Sequence, residues 1–235
     1  MIIMNFNITD KKEIILITLI SSILVAYYIN FNNNLGIYCS DVYVYLLNAL
    51  YFAGTNIHST KSIYLSPVVC FLTSLIFDLG YVYKVAIFIS TGILAIIGNI
   101  GLYLLLRLRF NNLLSFTGTI IYTTLALNLA WLANGSLDIP AVTFTIWAVY
   151  FAILAIKKNP KYYIALFPLL VIGFFTRYTV GLILPPLFLY YVLENSFKIK
   201  REEIKFIAIG LIMAILLFAI IFSTINYMGN GFIAF

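Results

Sequence analysis

The chain has 235 residues, of which 63% are apolar or aromatic and 9% are charged. A soluble domain carries roughly half apolar and a quarter charged residues, so this composition excludes both a water-soluble fold, which it could not cover with polar surface, and a disordered chain. The formal charge of +6, from 14 Lys and Arg against 8 Asp and Glu, would suggest a nucleic-acid partner in a soluble protein. Here it reports topology, and no nucleic-acid partner is expected.

A membrane span needs about 20 apolar residues to cross roughly 30 Å of hydrocarbon. Residues 13–30 form the first, behind Lys11 and Lys12. No small-x-small cleavage pattern follows, so the segment reads as a retained anchor. Residues 42–53, closed by Gly54, would reach only about 18 Å as a helix, and residues 64–79, closed by Gly80, about 24 Å. Residues 84–106, 113–133 and 139–156 are full-length spans. The apolar stretch 162–193 would be about 48 Å as one helix, but TRYT at 176–179 and Pro185-Pro186 interrupt it. It reads as two short spans, 162–175 and 180–193, with Arg177 at the tip of the hairpin. Residues 204–226 form the last span.

Charge decides whether 64–79 crosses. If it stays on the outer side, the inner face collects eleven of the 14 basic residues: Lys11, Lys12, Arg107, Arg109, Lys157, Lys158, Lys161, Lys198, Lys200, Arg201 and Lys205. If it crosses, the inner share falls to Lys11, Lys12, Lys84 and Arg177. Basic residues mark the cytoplasmic side, which selects the first arrangement. The expected fold is therefore a single all-α polytopic membrane domain. It has about seven spans, two outer-side juxtamembrane helices, an inner amino terminus and an outer carboxy terminus.

The same map leaves a short inventory outside: Asp41, Asp78, Asp138, Lys61, Lys84, Arg177 and His58. Charges at a bilayer boundary are costly and invite an explanation. Asp41 opens the first short helix in SDVYVYLLNALYFAG, and Asp138 precedes Pro140 at the start of a span. Each suits an N-cap; a pair of outer carboxylates equally suits acid/base chemistry. Arg177 in GFFTRYT reads as a snorkelling interfacial anchor or as a phosphate clamp matched to its planar guanidinium. Lys61 in HSTKSIYLSP and His58 read most simply as solvated loop residues. Asp78 ends the second short helix, where solvation offsets an unfavourable helix dipole. Asn134-Gly-Ser136 is a glycosylation sequon almost touching a span, which argues against its use. Cys39 and Cys70 have no CxxC spacing and no neighbouring His, so they signal neither a disulfide nor a metal site.

The order of these features resembles a known pattern: one span, an outer D-x-x-x-Y-L-x-x-A-x-x-x-x-G helix, a second outer helix beginning at a Pro, a span ending in basic residues, an outer Asp before a span, and a T-[KR]-x-T hairpin. It is similar to the integral-membrane glycosyltransferases of the C-type fold, the dolichyl-phosphate-mannose protein mannosyltransferase-like group that includes the lipid A aminoarabinose transferases. The resemblance runs over about 13–226. It implies Asp41 as the catalytic carboxylate and Asp138 as the second outer-loop Asp beside it. It also implies Arg177 as the cation on the carrier phosphate. Lys61 takes the place of a further basic residue, although Thr60-Lys61-Ser62 departs from the Glu-Lys-Pro of some members.

The implied reaction moves a sugar from a polyprenyl-phosphate-linked donor to a protein or lipid acceptor on the outer face. No cofactor is implied beyond that donor, no nucleotide-binding motif is present, and metal use differs among members. Most relatives continue with further spans and an outer region that this length does not hold. A truncated frame, a split enzyme with a second subunit supplying the carboxy-terminal half, and a minimal form all fit. The alternative to catalysis is a polyprenyl-phosphate-binding or assembly subunit. A transporter would need midplane charges and internal repeats, which the chain lacks.

Overall fold

The computed structural model describes residues 8–37, 39–55, 67–195 and 201–227, and within them the chain is helical. The helices are α1 (Ile8–Leu35), α2 (Ser40–Phe52), α3 (Pro67–Asp78), α4 (Ala86–Arg107), α5 (Asn112–Thr124), α6 (Ala126–Ala133), α7 (Asp138–Lys157), α8 (Tyr163–Thr176), α9 (Leu184–Asn195) and α10 (Arg201–Tyr227). Short 3-10 turns at Pro160–Tyr162 and Tyr178–Ile183 precede α8 and α9.

Four helices, α1, α4, α7 and α10, are long and apolar enough to cross a membrane, and α5 with α6 makes a fifth if the bent pair is one span. This is an integral membrane protein of the all-α polytopic class. Seven spans are expected from sequence; α8 and α9, with 14 and 12 residues, reach only about 21 and 18 Å. The expected span 180–193 starts late because residues 178–183 are wound as a 3-10 turn.

The span expected at 113–133 is bent by 53° at Leu125, whose backbone is extended at φ −57°, ψ 133°. Thr119, Thr123 and Thr124 each donate their hydroxyl to a carbonyl one turn back, a pattern that bends helices. Asn128 Nδ2 then donates to Tyr122 O at 2.6 Å, beside the Leu125 amide that also reaches this carbonyl at the break. A cavity of about 30 Å³ lies alongside, with Ser21, Asn99, Thr123, Asn128 and Thr143 in its wall. Irregular backbone at membrane depth is tolerated where it is buried or lines such a polar space.

The core is a close sandwich of α1, α4 and α7. Glycine lets the backbones approach, as in other membrane bundles: a Cβ at Gly98 would lie 2.3 Å from Thr143 Oγ1, and one at Gly92 would lie 2.4 Å from Val25 Cγ1. Polar bonds then fix the register. Thr143 Oγ1 donates to Leu94 O at 2.9 Å, Trp147 Nε1 to Ile97 O at 3.1 Å, and Asn99 Nδ2 to Ser21 Oγ at 2.9 Å. Tyr103 Oη donates to the Glu13 carboxylate on α1.

The two short helices expected at 42–53 and 64–79 are α2 and α3. They pack on each other and on the Ala86 end of α4 through Val42, Leu46, Ala49, Val69, Phe77 and Phe88. Gly54 and Gly80 close them with the paired bonds of a Schellman motif, Thr55 N to Leu50 O with Gly54 N to Tyr51 O, and Tyr81 N to Ile76 O with Gly80 N to Phe77 O. Asp78 is exposed at the end of α3.

Candidate active site

The start of α7 is built by the turn before it. Gly135, at φ +63°, ends α6 with Ser136 N donating to Trp131 O and Gly135 N to Leu132 O. A side chain here would be strained by the left-handed backbone, and its Cβ would lie 2.9 Å from Phe88 Cε1. The chain then turns at once into α7 with Asp138 as its first residue.

Asp138 was expected as a helix cap, a catalytic carboxylate or both. The cap is not made: the N-cap position falls to Leu137, and no side chain caps the helix. Its Oδ1 lies 2.6 Å from Arg177 Nη1, and its Oδ2 accepts the Ser136 hydroxyl at 2.5 Å. The Asp138 amide donates back to Ser136 Oγ at 3.1 Å. Ser136 therefore clasps the aspartate from both sides, a local serine turn.

Arg177 sits where α8 stops. Its backbone is extended, at φ −158° and ψ 124°, and Arg177 N donates to Gly173 O at 2.9 Å. A Cβ at Gly173 would lie 2.7 Å from Val180 Cγ1, so the absence of a side chain lets the 3-10 turn fold back on α8. Val180 is buried there, which leaves Arg177 directed to Asp138 rather than to lipid.

Asp41 occupies the first turn of α2 and is exposed. No side-chain bond caps α2, whose N-cap is Cys39. Among the described residues the Asp41 carboxylate has neither a hydrogen-bond nor an ion-pair partner. One turn further along, Tyr45 is buried. Burial first, and the Asp41 carboxylate second, push its phenol up to about 12, while Arg177 acts in the opposite direction. Tyr45 thus feels both charges.

Of the four expected site residues, Asp138 and Arg177 are in contact, and Asp41 and Arg177 both act on the Tyr45 phenol. Lys61, like His58, lies outside the described residues. Sequence reading missed Ser136 and Tyr45. The signals were there: Ser136 stands two residues before Asp138, and Tyr45 is the i+4 neighbour that shares a helix face with Asp41. No group of three His, Cys, Asp or Glu side chains that could hold a metal is present among the described residues. The burial of Cys70 pushes its thiol up from the ordinary range.

The chain matches the family model of dolichyl-phosphate-mannose-protein mannosyltransferases over residues 64–223, more than half of its length. Asp138 and Arg177 fall inside the matched region, and Asp41 and Lys61 precede it. No curated protein and no solved structure matches the chain.

Proposed function

Because the chain belongs to the dolichyl-phosphate-mannose-protein mannosyltransferase family, we propose that it moves a sugar from a polyprenyl-phosphate-linked donor to an acceptor hydroxyl on the outer face of the membrane. Membership itself makes it an integral-membrane glycosyltransferase of the mannosyltransferase type. The donor's tail lies in the bilayer and its anomeric carbon at the interface, level with the start of α7. Asp41 takes the proton of the acceptor hydroxyl. The hydroxyl oxygen bonds to the anomeric carbon as the bond from that carbon to the phosphate oxygen breaks. The carrier phosphate leaves with the bonding pair, and Arg177 stabilises its growing charge, a role suited to a fixed cation in a poorly hydrated site. Asp138 and Ser136 hold the guanidinium in place, and Lys61 is the second candidate for the phosphate.

The observation that carries this reading is the Arg177–Asp138 contact of 2.6 Å, which unites two segments distant in the chain, together with an Asp41 that has no hydrogen-bond or ion-pair partner among the described residues. The positive-inside distribution of Lys and Arg supports placing this end of the bundle outside. In proteoliposomes supplied with a polyprenyl-phosphate mannose, the protein transfers the sugar, and Asp41→Asn abolishes transfer while expression and melting are unchanged. Unimpaired transfer by Asp41→Asn would remove Asp41 from the mechanism.

A further inference from the structure

The last four carbonyls of a helix have no partner inside it. At the end of α6 three of them are taken by the turn that follows: Asn134 N donates to Ala130 O at 3.0 Å, Ser136 N to Trp131 O at 3.0 Å and Gly135 N to Leu132 O at 3.3 Å. The fourth, Ala133 O, accepts from Asn32 Nδ2 at 2.9 Å, a bond between residues 101 apart in the chain. A side chain in the last turn of α1 thus completes the cap of α6.

Three asparagines stand together there. Asn33 and Asn34 are exposed, whereas Asn32 is 1% exposed. Its Oδ1 is buried without a hydrogen-bond partner among the described residues. The opposite amide orientation would set Oδ1 against Ala133 O, acceptor to acceptor, so the contact fixes which atom is left unpaired. Leaving a buried acceptor unpaired costs as much as a typical hydrogen bond returns, so this amide adds little net stability. What it adds is a fixed geometry.

That geometry belongs to the candidate site. Beyond Ala133 the turn is seated at Gly135, whose Cβ would meet Phe88 of α4. It ends in Ser136, which holds both the carboxylate and the amide of Asp138, and Asp138 pairs with Arg177. The turn is therefore held by α1 at Ala133 and bounded by α4 at Gly135 before it reaches the aspartate.

We infer that Asn32 is a positioning residue of the transfer site: it caps α6 from α1 and thereby fixes the turn that sets Ser136 and Asp138 against Arg177. It acts through that pair, and the inference rests on the reading of Arg177 as the clamp on the carrier phosphate. Single hydrogen bonds between helices are weak contributors to the stability of membrane bundles, so removing this one separates a positioning role from a structural one.

Asn32→Leu, similar in shape, removes the donor and the unpaired acceptor together. In proteoliposomes with a polyprenyl-phosphate mannose it should lower kcat about tenfold, within the range produced by a small misplacement away from the chemistry. The KM for the donor should change little, and melting should stay close to that of the wild type. Combined with Asp138→Asn it should add little to that variant's loss, since both act through Arg177. Asn99→Leu is the control: Asn99 Nδ2 ties α4 to Ser21 Oγ of α1 at 2.9 Å, a bond of the same kind away from the turn, and its loss should leave the rate unchanged. Hydrogen exchange read by mass spectrometry follows the turn whether or not sugar moves: the amides of Asn134, Gly135 and Ser136 should exchange faster in Asn32→Leu, and those in the middle of α7 should not. Unchanged exchange at the turn, or an unchanged rate, would overturn the inference. Equal rate losses in Asn32→Leu and Asn99→Leu would do the same, by making the packing of α1 in general the cause, and so would losses additive with Asp138→Asn. A wild-type protein that transfers no sugar would defeat the proposed function instead, and exchange at the turn would then decide whether Asn32 holds it. If Asn32→Leu fails to fold, Asn32→Ser, smaller and without the amide, is read in the same way.

Discussion

Replacing Arg177 by Ala separates a phosphate clamp from an interfacial anchor. Its side chain is 38% exposed and that of Asp138 27%. A partly exposed pair of this kind contributes about 0–1 kcal/mol to stability after screening and side-chain entropy. The same guanidinium facing a departing phosphate is worth far more in the transition state: removing one preorganised electrostatic donor costs about 10²–10³ in rate, or roughly 2.7–4 kcal/mol. Arg177→Ala should therefore slow single-turnover transfer in proteoliposomes by about that factor, with a melting temperature close to that of the wild type. Arg177→Lys should fall between, keeping the charge and losing the planar fork. Transfer by Arg177→Ala within a few fold of wild type would refute the clamp. A large loss of stability with an unchanged rate would make the residue an anchor.

Three further outcomes follow from packing and burial. Gly98→Val drives its side chain into Thr143 on α7 and is expected to cost about 1–3 kcal/mol as overpacking; Gly181→Ala, whose Cβ would meet Phe174 at an ordinary 3.5 Å, should melt like the wild type. At pH 8 an alkylating reagent should modify the partly exposed Cys39 and spare the buried Cys70 until the protein is unfolded, as read by intact mass. Tyr45 has its phenol raised from 10.0 to about 12, so the unfolded chain ionises first as pH rises. Its contribution to stability is complete below pH 10 and is lost between pH 10 and 12, and Tyr45→Phe should flatten that part of the stability profile relative to wild type.

Much of the architecture was legible because hydropathy over 20 residues and the glycines that stop helices are local properties. Residues 84–106, 139–156 and 204–226 correspond to α4, α7 and α10, and Gly54 and Gly80 end α2 and α3. The break at Leu125 was not legible, because 113–133 is apolar on average and contains neither a charge nor a proline. It follows from three threonines bonding back along the helix and from Asn128 reaching Tyr122 O. Each of these residues is unremarkable by itself in an apolar window, and their effect appears only in combination. The short α8 and α9 were legible as a hairpin from TRYT, but the 3-10 winding of 178–183 depends on Val180 packing against Gly173, a contact that only the fold supplies.

The site shows the same division between local and assembled information. In the sequence Asp41 and Asp138 are equivalent: each is an acid at a helix start, suited to capping or to proton transfer. The structure makes them different. Both oxygens of Asp138 are engaged, one by Arg177 and the other by Ser136, so a proton accepted there would weaken its pairing with the cation it orients. Asp41 has no such commitment among the described residues, and its neighbour Tyr45 is buried and feels the Arg177 charge. A base must offer a free lone pair to an incoming hydroxyl, whereas an orienting group must already be engaged. On that ground Asp41→Asn should remove the chemistry outright, and Asp138→Asn should act through Arg177. The second variant should weaken transfer less than Arg177→Ala does, and it should add little to the loss when the two are combined, as expected for residues acting as one unit. Additive losses would mean that Asp138 has a role of its own.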